Sequence, residues 1–337
     1  MISKKKKNFI MDSSLGALKD KKDKRDFRLS GIQKDTAPPT SFALKDKFDV
    51  KNQWSRPSCT SQAQSHHKER QENVEIGARP IMAWTKDLEN NTNQGAYTRN
   101  TFKVVNNIGC CKEKLCTEPG SNLSWGKYIN INKIPNKCRK QADEHKSKSY
   151  WRVDKSINKI KQAIYQNNNS VVMSMAWYNE FNNPNKDGML PDYDKNGRYG
   201  GHAVECKGWD DGKKAFLMKN SWGASWGPIS GYFYLPYSYI KDLVWDIWCS
   251  LDIPTELPVD NRYGRDRTWS SYLSEKSMAF NPWLRKKIKR APNNREIKGL
   301  VYGHHSYENV FEGAINDKWL HITYPEYLKR QKEGKVD

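Results

Sequence analysis

Apolar residues recur along this chain with two different periods, and the change from one to the other divides it. From Ile76 to about Leu115 the spacing is helical: Ile81, Trp84 and Leu88 form one stripe and Phe102, Val105 and Ile108 a second, which predicts two amphipathic helices. A third helix is predicted where Ser156 can cap a stripe of Ile157, Ile160 and Ile164 that ends at Asn167-Asn168-Asn169. Beyond it the pattern turns to strands. Ser170 to Ala176 is an apolar run of strand length. Ala203-Val204 and Phe216-Leu217-Met218 flank the turn residues Trp209-Asp210-Asp211-Gly212, so this stretch reads as a hairpin. Gly231 to Pro236 and Trp245 to Leu251 supply two more strands. Helices first and strands second predict an α+β fold.

Three stretches fall outside this scheme. Residues 1–40 are rich in lysine and turn residues and close at Pro38-Pro39, which predicts a basic arm that is flexible by itself. Residues 256–337 form a C-terminal extension with a basic stretch from Trp283 to Arg290 and a His304-His305 pair. Aromatic residues do not interleave with those charges, so a solvated helix face or docking arm is expected ahead of a nucleic-acid site. The third is Ser58 to about Asn73, expected to be a helix because Pro57 suits its start. Gln62, Gln64, His66, His67, Lys68 and Glu69 make it unusually polar, which leaves Ala63 and aliphatic stems to pack it. The predicted organisation is therefore an arm over 1–40, a helical lobe over 41–150, a β-rich lobe over 151–255 and the extension.

Composition changes this picture in three respects. A net charge of +20 implies attraction to an acidic partner, with the basic termini as its natural contacts. No apolar run approaches the ~20 residues of a membrane span, and none follows the lysines of the first seven residues as a secretory signal would require. Synthesis in the cytoplasm is expected, with virion association or lysis as the routes out. Seven cysteines in that setting are expected to be thiols. Cys110-Cys111, Cys116 and Cys138 do not form a familiar zinc spacing, so buried thiols are expected there, with an adventitious disulfide second, and no metal or cofactor is expected.

The hairpin carries the candidate chemistry. It sets His202 and Asn220 on neighbouring strands, and a histidine oriented by a side-chain amide calls for a nucleophile. Cys59 precedes His202 by roughly 140 residues and stands at a predicted helix N-terminus, where a thiolate is favoured.

The order Gln53, Cys59, His202, Asn220, with Gly-His-Ala at 201–203 and Asn-Ser-Trp-Gly-Ala-Ser-Trp-Gly at 220–227, resembles the papain-like cysteine peptidase family from about Asp26 to about Pro254. Asp23 to Asp26 resembles the short Asp-x-Arg-Asp lead-in of many microbial relatives. Arg56-Pro57-Ser58-Cys59-Thr60 stands where the family usually has Cys-Gly-Ser-Cys-Trp, and Trp54 where it usually has glycine, so the chain is more similar to divergent microbial and viral members.

The resemblance implies a two-lobed fold, a helical left lobe and a β-rich, barrel-like right lobe with the active site between them. It also implies an endopeptidase acting on protein or peptide substrates through Cys59, His202 and Asn220. Gln53 and the Cys59 backbone N–H would form the oxyanion hole, and Trp222 would shield the His202–Asn220 bond. Two other readings compete: an inactive structural or adaptor protein of this fold, and a cell-wall peptide hydrolase. The arm is shorter than the family's folded inhibitory propeptide, so any restraint would fall to another element, for which the C-terminal extension is a candidate.

Overall fold

The computed structural model describes residues 14–23, 26–31, 33 and 37–251. In chain order its elements are strands β1 (Ala17–Leu18) and β2 (Ser41–Ala43), helices α1 (Cys59–Glu72) and α2 (Ala78–Glu89), β3 (Ala96–Tyr97) and α3 (Thr98–Asn107). The short α4 (Trp125–Tyr128) and α5 (Asn136–Ala142) follow, then β4 (Ser149–Arg152), α6 (Ile157–Asn167), β5 (Val171–Tyr178) and β6 (Tyr199–Asp210). The last are β7 (Ala215–Lys219), β8 (Tyr232–Pro236), α7 (Tyr239–Leu243) and β9 (Val244–Leu251). This is the α+β arrangement expected from the sequence. The extension, with its Trp283–Arg290 stretch and His304-His305 pair, lies outside the described residues.

The main sheet runs β4-β9-β5-β6-β7-β8, with β2 added beside β6. Its pairs are antiparallel. Strand β6 is long enough to pair with β5 through its first half and with β7 and β2 through its second, and this register sets His202 opposite Met175. Strand β5 is buried at all eight positions, as its unbroken apolar run requires of a central strand.

Helix α1 lies against this sheet and against α2 and α3. All eleven residues from Cys59 to Glu69 are buried, although most are polar. Hydrogen bonds and ion pairs do the work that apolar contacts do elsewhere. The Ser250 amide donates to Nε2 of His67 at 3.0 Å, which leaves the ring proton on Nδ1 to donate to Ser170 Oγ at 3.1 Å. Burial, with Lys68 and Arg70 nearby, pushes His67 down to about 3, so this ring is neutral. Lys68 pairs with Glu72 at 2.6 Å and Lys51 with Glu69 at 2.9 Å. Ala63 belongs, with Cys59, to a buried apolar cluster of Phe102, Val172, Ala203 and Trp248, and these polar contacts add to that packing.

The apolar stripes of α2 and α3 each outrun the core by one residue. Ile81, Trp84, Phe102 and Val105 are buried, whereas Leu88 and Ile108 are 42% and 40% exposed at the helix ends. Helices α1, α2 and α6 all stop at an asparagine in the left-handed conformation, Asn73, Asn90 and Asn168, a geometry asparagine tolerates better than most residues.

Candidate active site

Cys59 is the first residue of α1, and the turn before it is tethered on both sides. The Arg56 guanidinium, 3% exposed, donates to Glu118 Oε1, Pro119 O and Gly120 O at 2.6–2.9 Å and lies over the Tyr128 ring at 4.9 Å. Trp54 takes the left-handed conformation (φ +55°) that favours glycine, its N–H donates to Asn52 Oδ1 at 2.9 Å, and its side chain is 45% exposed. The turn therefore keeps the backbone shape of a glycine-bearing loop, at a strain of about 1 kcal/mol.

That turn presents Gln53, which is fully buried. Ser221 Oγ donates to its Oε1 at 2.6 Å, so the amide nitrogen must face the cleft. Ser221 was not among the residues singled out from sequence. Its signal was its place between Asn220 and Trp222, which only acquires meaning once the Gln53 turn is seen beside it.

Across the cleft, the Ser221 amide donates to Asn220 Oδ1 at 2.8 Å. This fixes the oxygen of that side chain as the atom facing His202, so His202 Nε2, 2.8 Å away, is the donor. In a neutral ring Nδ1 is then the basic nitrogen. The imidazole stacks on Trp222, with centroids 4.8 Å apart and planes at 27°, and meets Trp177 edge-on at the same distance. Trp226 and Phe233 complete this aromatic wall around Trp177. Trp222 thus covers one face of the ring, and Trp226, from the same 220–227 motif, and Trp177, which no local pattern announced, back it. The Cys59 sulfur accepts from the Ala203 amide, the residue next to His202, so the thiol lies beside the strand that carries the histidine.

The cleft is not open. The N-terminal arm enters it, and Ser14 to Leu18 runs through, its last two residues as β1. Gln53 Nε2 donates to Ser14 O at 2.7 Å, the Gly16 amide reaches the Cys59 sulfur, and β1 pairs in parallel with β3, the Ala96 amide donating to Gly16 O at 2.9 Å. Glycines make this approach possible on both walls. A Cβ on Gly95 would lie 2.1 Å from Gly16 O, and one on Gly201 would lie 1.8 Å from Ala17 O. With water excluded Cys59 is fully buried, and burial pushes its thiol up to about 11, against the lowering effect of the surrounding amides. The thiolate expected from the sequence is disfavoured in this state. The Gly95-Ala96-Tyr97 stretch borders the cleft from the other side.

Asp20 anchors the arm. Its Oδ2 accepts from Trp248 Nε1 at 2.8 Å and from the Arg99 amide at 3.3 Å, and its own amide donates to Asp246 Oδ2 at 2.8 Å. Asp26, in the lead-in, takes Arg99 at 2.6 Å and Arg152 at 3.3 Å. Burial and the neighbouring Asp246 raise Asp20 to about 7 from an ordinary 3.8, against the opposing pull of Trp248, Arg99 and Arg152. The native state therefore holds the extra proton. Wild type is expected to lose stability relative to Asp20→Asn as pH rises from about 4 to about 7, by an amount on the order of a few kcal/mol, and to change little above that. Denaturant melts of both proteins across that window check this, and parallel pH curves would remove Asp20 as the titrating anchor.

A sequence model described as papain family cysteine protease matches residues 44–242. An uncharacterized peptidase C1-like protein of Acanthamoeba polyphaga mimivirus is 26% identical over 292 residues, spanning 74% of this chain and 90% of its own. Among solved structures, xylellain, a cysteine protease from Xylella fastidiosa, superposes with a TM-score of 0.64 at 27% identity, over 72% of this chain and 97% of that one. Digestive procathepsin L 3 of the Tenebrio molitor larval midgut shares the fold, with a TM-score of 0.52 at 15% identity over 71% and 77% of the two chains.

Proposed function

Since the chain belongs to the papain family of cysteine proteases, we propose that it hydrolyses peptide bonds through a thioester on Cys59 and that the arm blocks the site in the form described here. The observation that carries this reading is the His202–Asn220 bond of 2.8 Å, with its donor sense fixed by Ser221, next to a thiol at the N-terminus of α1.

Once the arm withdraws, Nδ1 of His202 takes the Cys59 proton. The thiolate then sits against an imidazolium and the end of the helix, both of which lower a thiol pKa. It attacks the scissile carbonyl, and the oxyanion receives hydrogen bonds from Gln53 Nε2 and the Cys59 amide. His202 returns its proton to the leaving amine, and then takes one from the water that opens the thioester. Asn220 holds the ring through both halves, and Trp222 keeps water from that bond. Among the described residues no helix is long and apolar enough to cross a membrane.

The filled cleft also favours a second reading, a fold retained as a structural component with an inert thiol. Mass-spectrometric labelling with an epoxysuccinyl or iodoacetamide probe across pH separates the two. With the arm displaced, Cys59 is expected to label selectively below pH 7, and His202→Ala is expected to lose that acid-range labelling. Labelling no faster than at the other six cysteines, with the arm displaced and the fold intact, would leave the structural reading.

A further inference from the structure

Three of the seven cysteines meet in one place. Cys111 follows α3, Cys116 follows the single turn Glu113–Leu115, and Cys138 lies in α5. Together with Ala83, Trp84 and Ile134 they belong to one buried apolar cluster. Within that cluster the Cys138 thiol neighbours both Cys111 and Cys116. Cys110, although adjacent in sequence, turns its thiol to His145 O at 3.3 Å and packs in a different cluster with Ile76, Ile81 and Val105. Among the three, Cys111 and Cys138 are fully buried and Cys116 is 6% exposed, so Cys116 is the thiol a small reagent reaches first.

The segment between Cys116 and Cys138 is the one that holds the turn before Cys59. Glu118, Pro119 and Gly120 accept from Arg56, and Tyr128 lies beneath the guanidinium while its hydroxyl donates to Glu118 Oε2 at 2.9 Å. Tyr128 also meets the side chain of Ser58, the residue before Cys59. A covalent link at the base of this loop would close it beneath those contacts.

From this juxtaposition we infer that Cys116 and Cys138 form a thiol–disulfide exchange site, with Cys111 as the neighbouring thiol that can take over either bond. The oxidant is a small-molecule disulfide. The Cys116 thiolate attacks it, one sulfur–sulfur bond breaks, and one equivalent of small thiol leaves. The Cys138 thiolate then displaces the second equivalent from the mixed disulfide. The protein loses two protons and two electrons, and the reagent is reduced to two thiols. The contact with Cys111 and burial push the Cys138 thiol up to about 12, and the contact with Cys138 and burial raise Cys116 as well. Little thiolate is present at neutral pH, so exchange is slow there and accelerates with pH. This inference does not depend on peptidase activity.

The test uses the full chain, reduced and then incubated with oxidised glutathione, followed by intact mass, peptide mapping and thermal melting. The expected product has lost two hydrogens, carries a Cys116–Cys138 cross-linked peptide, and melts roughly 5–10 °C higher, as closure of a loop of this size implies. Cys138→Ser is expected to abolish the cross-link, and Cys116→Ser to shift it to Cys111–Cys138. Because one serine variant could misfold, wild type under reduced and oxidised conditions provides the primary comparison. Unchanged mass after prolonged oxidation at pH 8.5, or a cross-link through Cys110, Cys206 or Cys249, would overturn the assignment. So would a metal retained stoichiometrically by the reduced protein and lost in Cys138→Ser.

Discussion

Replacing Gly16 with leucine is expected to raise the rate at which Cys59 is alkylated by about 10- to 100-fold, equivalent to removing ~1.4–2.8 kcal/mol of occlusion. The steric case is direct. A Cβ at Gly16 would lie 2.3 Å from Pro57 O and 2.6 Å from Pro57 Cβ. Neither wall can give way, because Pro57 belongs to the turn that Arg56 and Gln53 tether and Gly95 on the other side admits no larger neighbour. The leucine variant must lift Ser14–Leu18 out of the cleft while Asp20 and Asp26 still hold the arm downstream. Water then reaches Cys59, the burial that pushes its thiol up to about 11 is relieved, and His202 can take the proton. The measurement is the second-order rate of iodoacetamide labelling at pH 7, with circular dichroism and the melting temperature as controls for folding. An unchanged rate in a folded variant would mean that Ser14–Leu18 is not the barrier. Deleting the first twenty residues is a poorer test, because it removes Asp20 and exposes the bond made by Trp248.

How much of this could be read from the sequence depends on whether a signal was local. The hairpin that joins His202 to Asn220 was legible because period-two apolar residues and an Asp-Asp-Gly turn lie within one short stretch. The C-terminal end of α6 and the start of α1 were legible because Asn168 and Pro57 act on their own backbone, whereas Ser156 stands at the N-terminus of α6 without a capping bond from its side chain. The burial of α1 was not, since its polar side chains find partners far away in the chain: His67 in Ser170 and Ser250, Lys68 in Lys146 O. Polarity there belongs to an interior helix that His67, Lys68 and Glu69 tie to distant partners, although both polar ends of the Gln64 side chain are buried without one. Such a helix looks like an exposed face until those partners are seen. The arm was misjudged for a related reason. Lysine content predicted a flexible tail, whereas Ser14 to Ala17 contains small residues that fit between two glycine-bearing walls, and that fit is a property of the pair. Trp54 makes the same point in reverse: a residue that appears to break the oxyanion turn adopts the glycine conformation and turns its ring outward.

Gln53 is expected to give opposite results in two assays, and that opposition is its most useful property. Its amide donates to Ser14 O at 2.7 Å in the blocked state and is the proposed oxyanion donor in the open one. In the wild-type background, Gln53→Ala should therefore quicken alkylation of Cys59 by loosening the arm. In the Gly16→Leu background it should leave alkylation unchanged, because displacement at a saturated carbon develops no oxyanion. Peptide hydrolysis in that background should fall by ~10²–10³ in kcat, with KM little altered, as the loss of one donor from such a site implies. Ser221→Ala should cost less, about 10-fold, since it removes the 2.6 Å bond to Gln53 Oε1 but leaves the amide and its 2.7 Å bond to Arg56 O, which still favours the same orientation. Ser221→Thr keeps the hydroxyl and should recover most of the rate, a rescue that a purely packing role for Ser221 would not produce. A Gln53→Ala variant that hydrolyses peptide as fast as its Gly16→Leu parent would show that the amide blocks and does not catalyse, and would confine the role of Gln53 to holding Ser14.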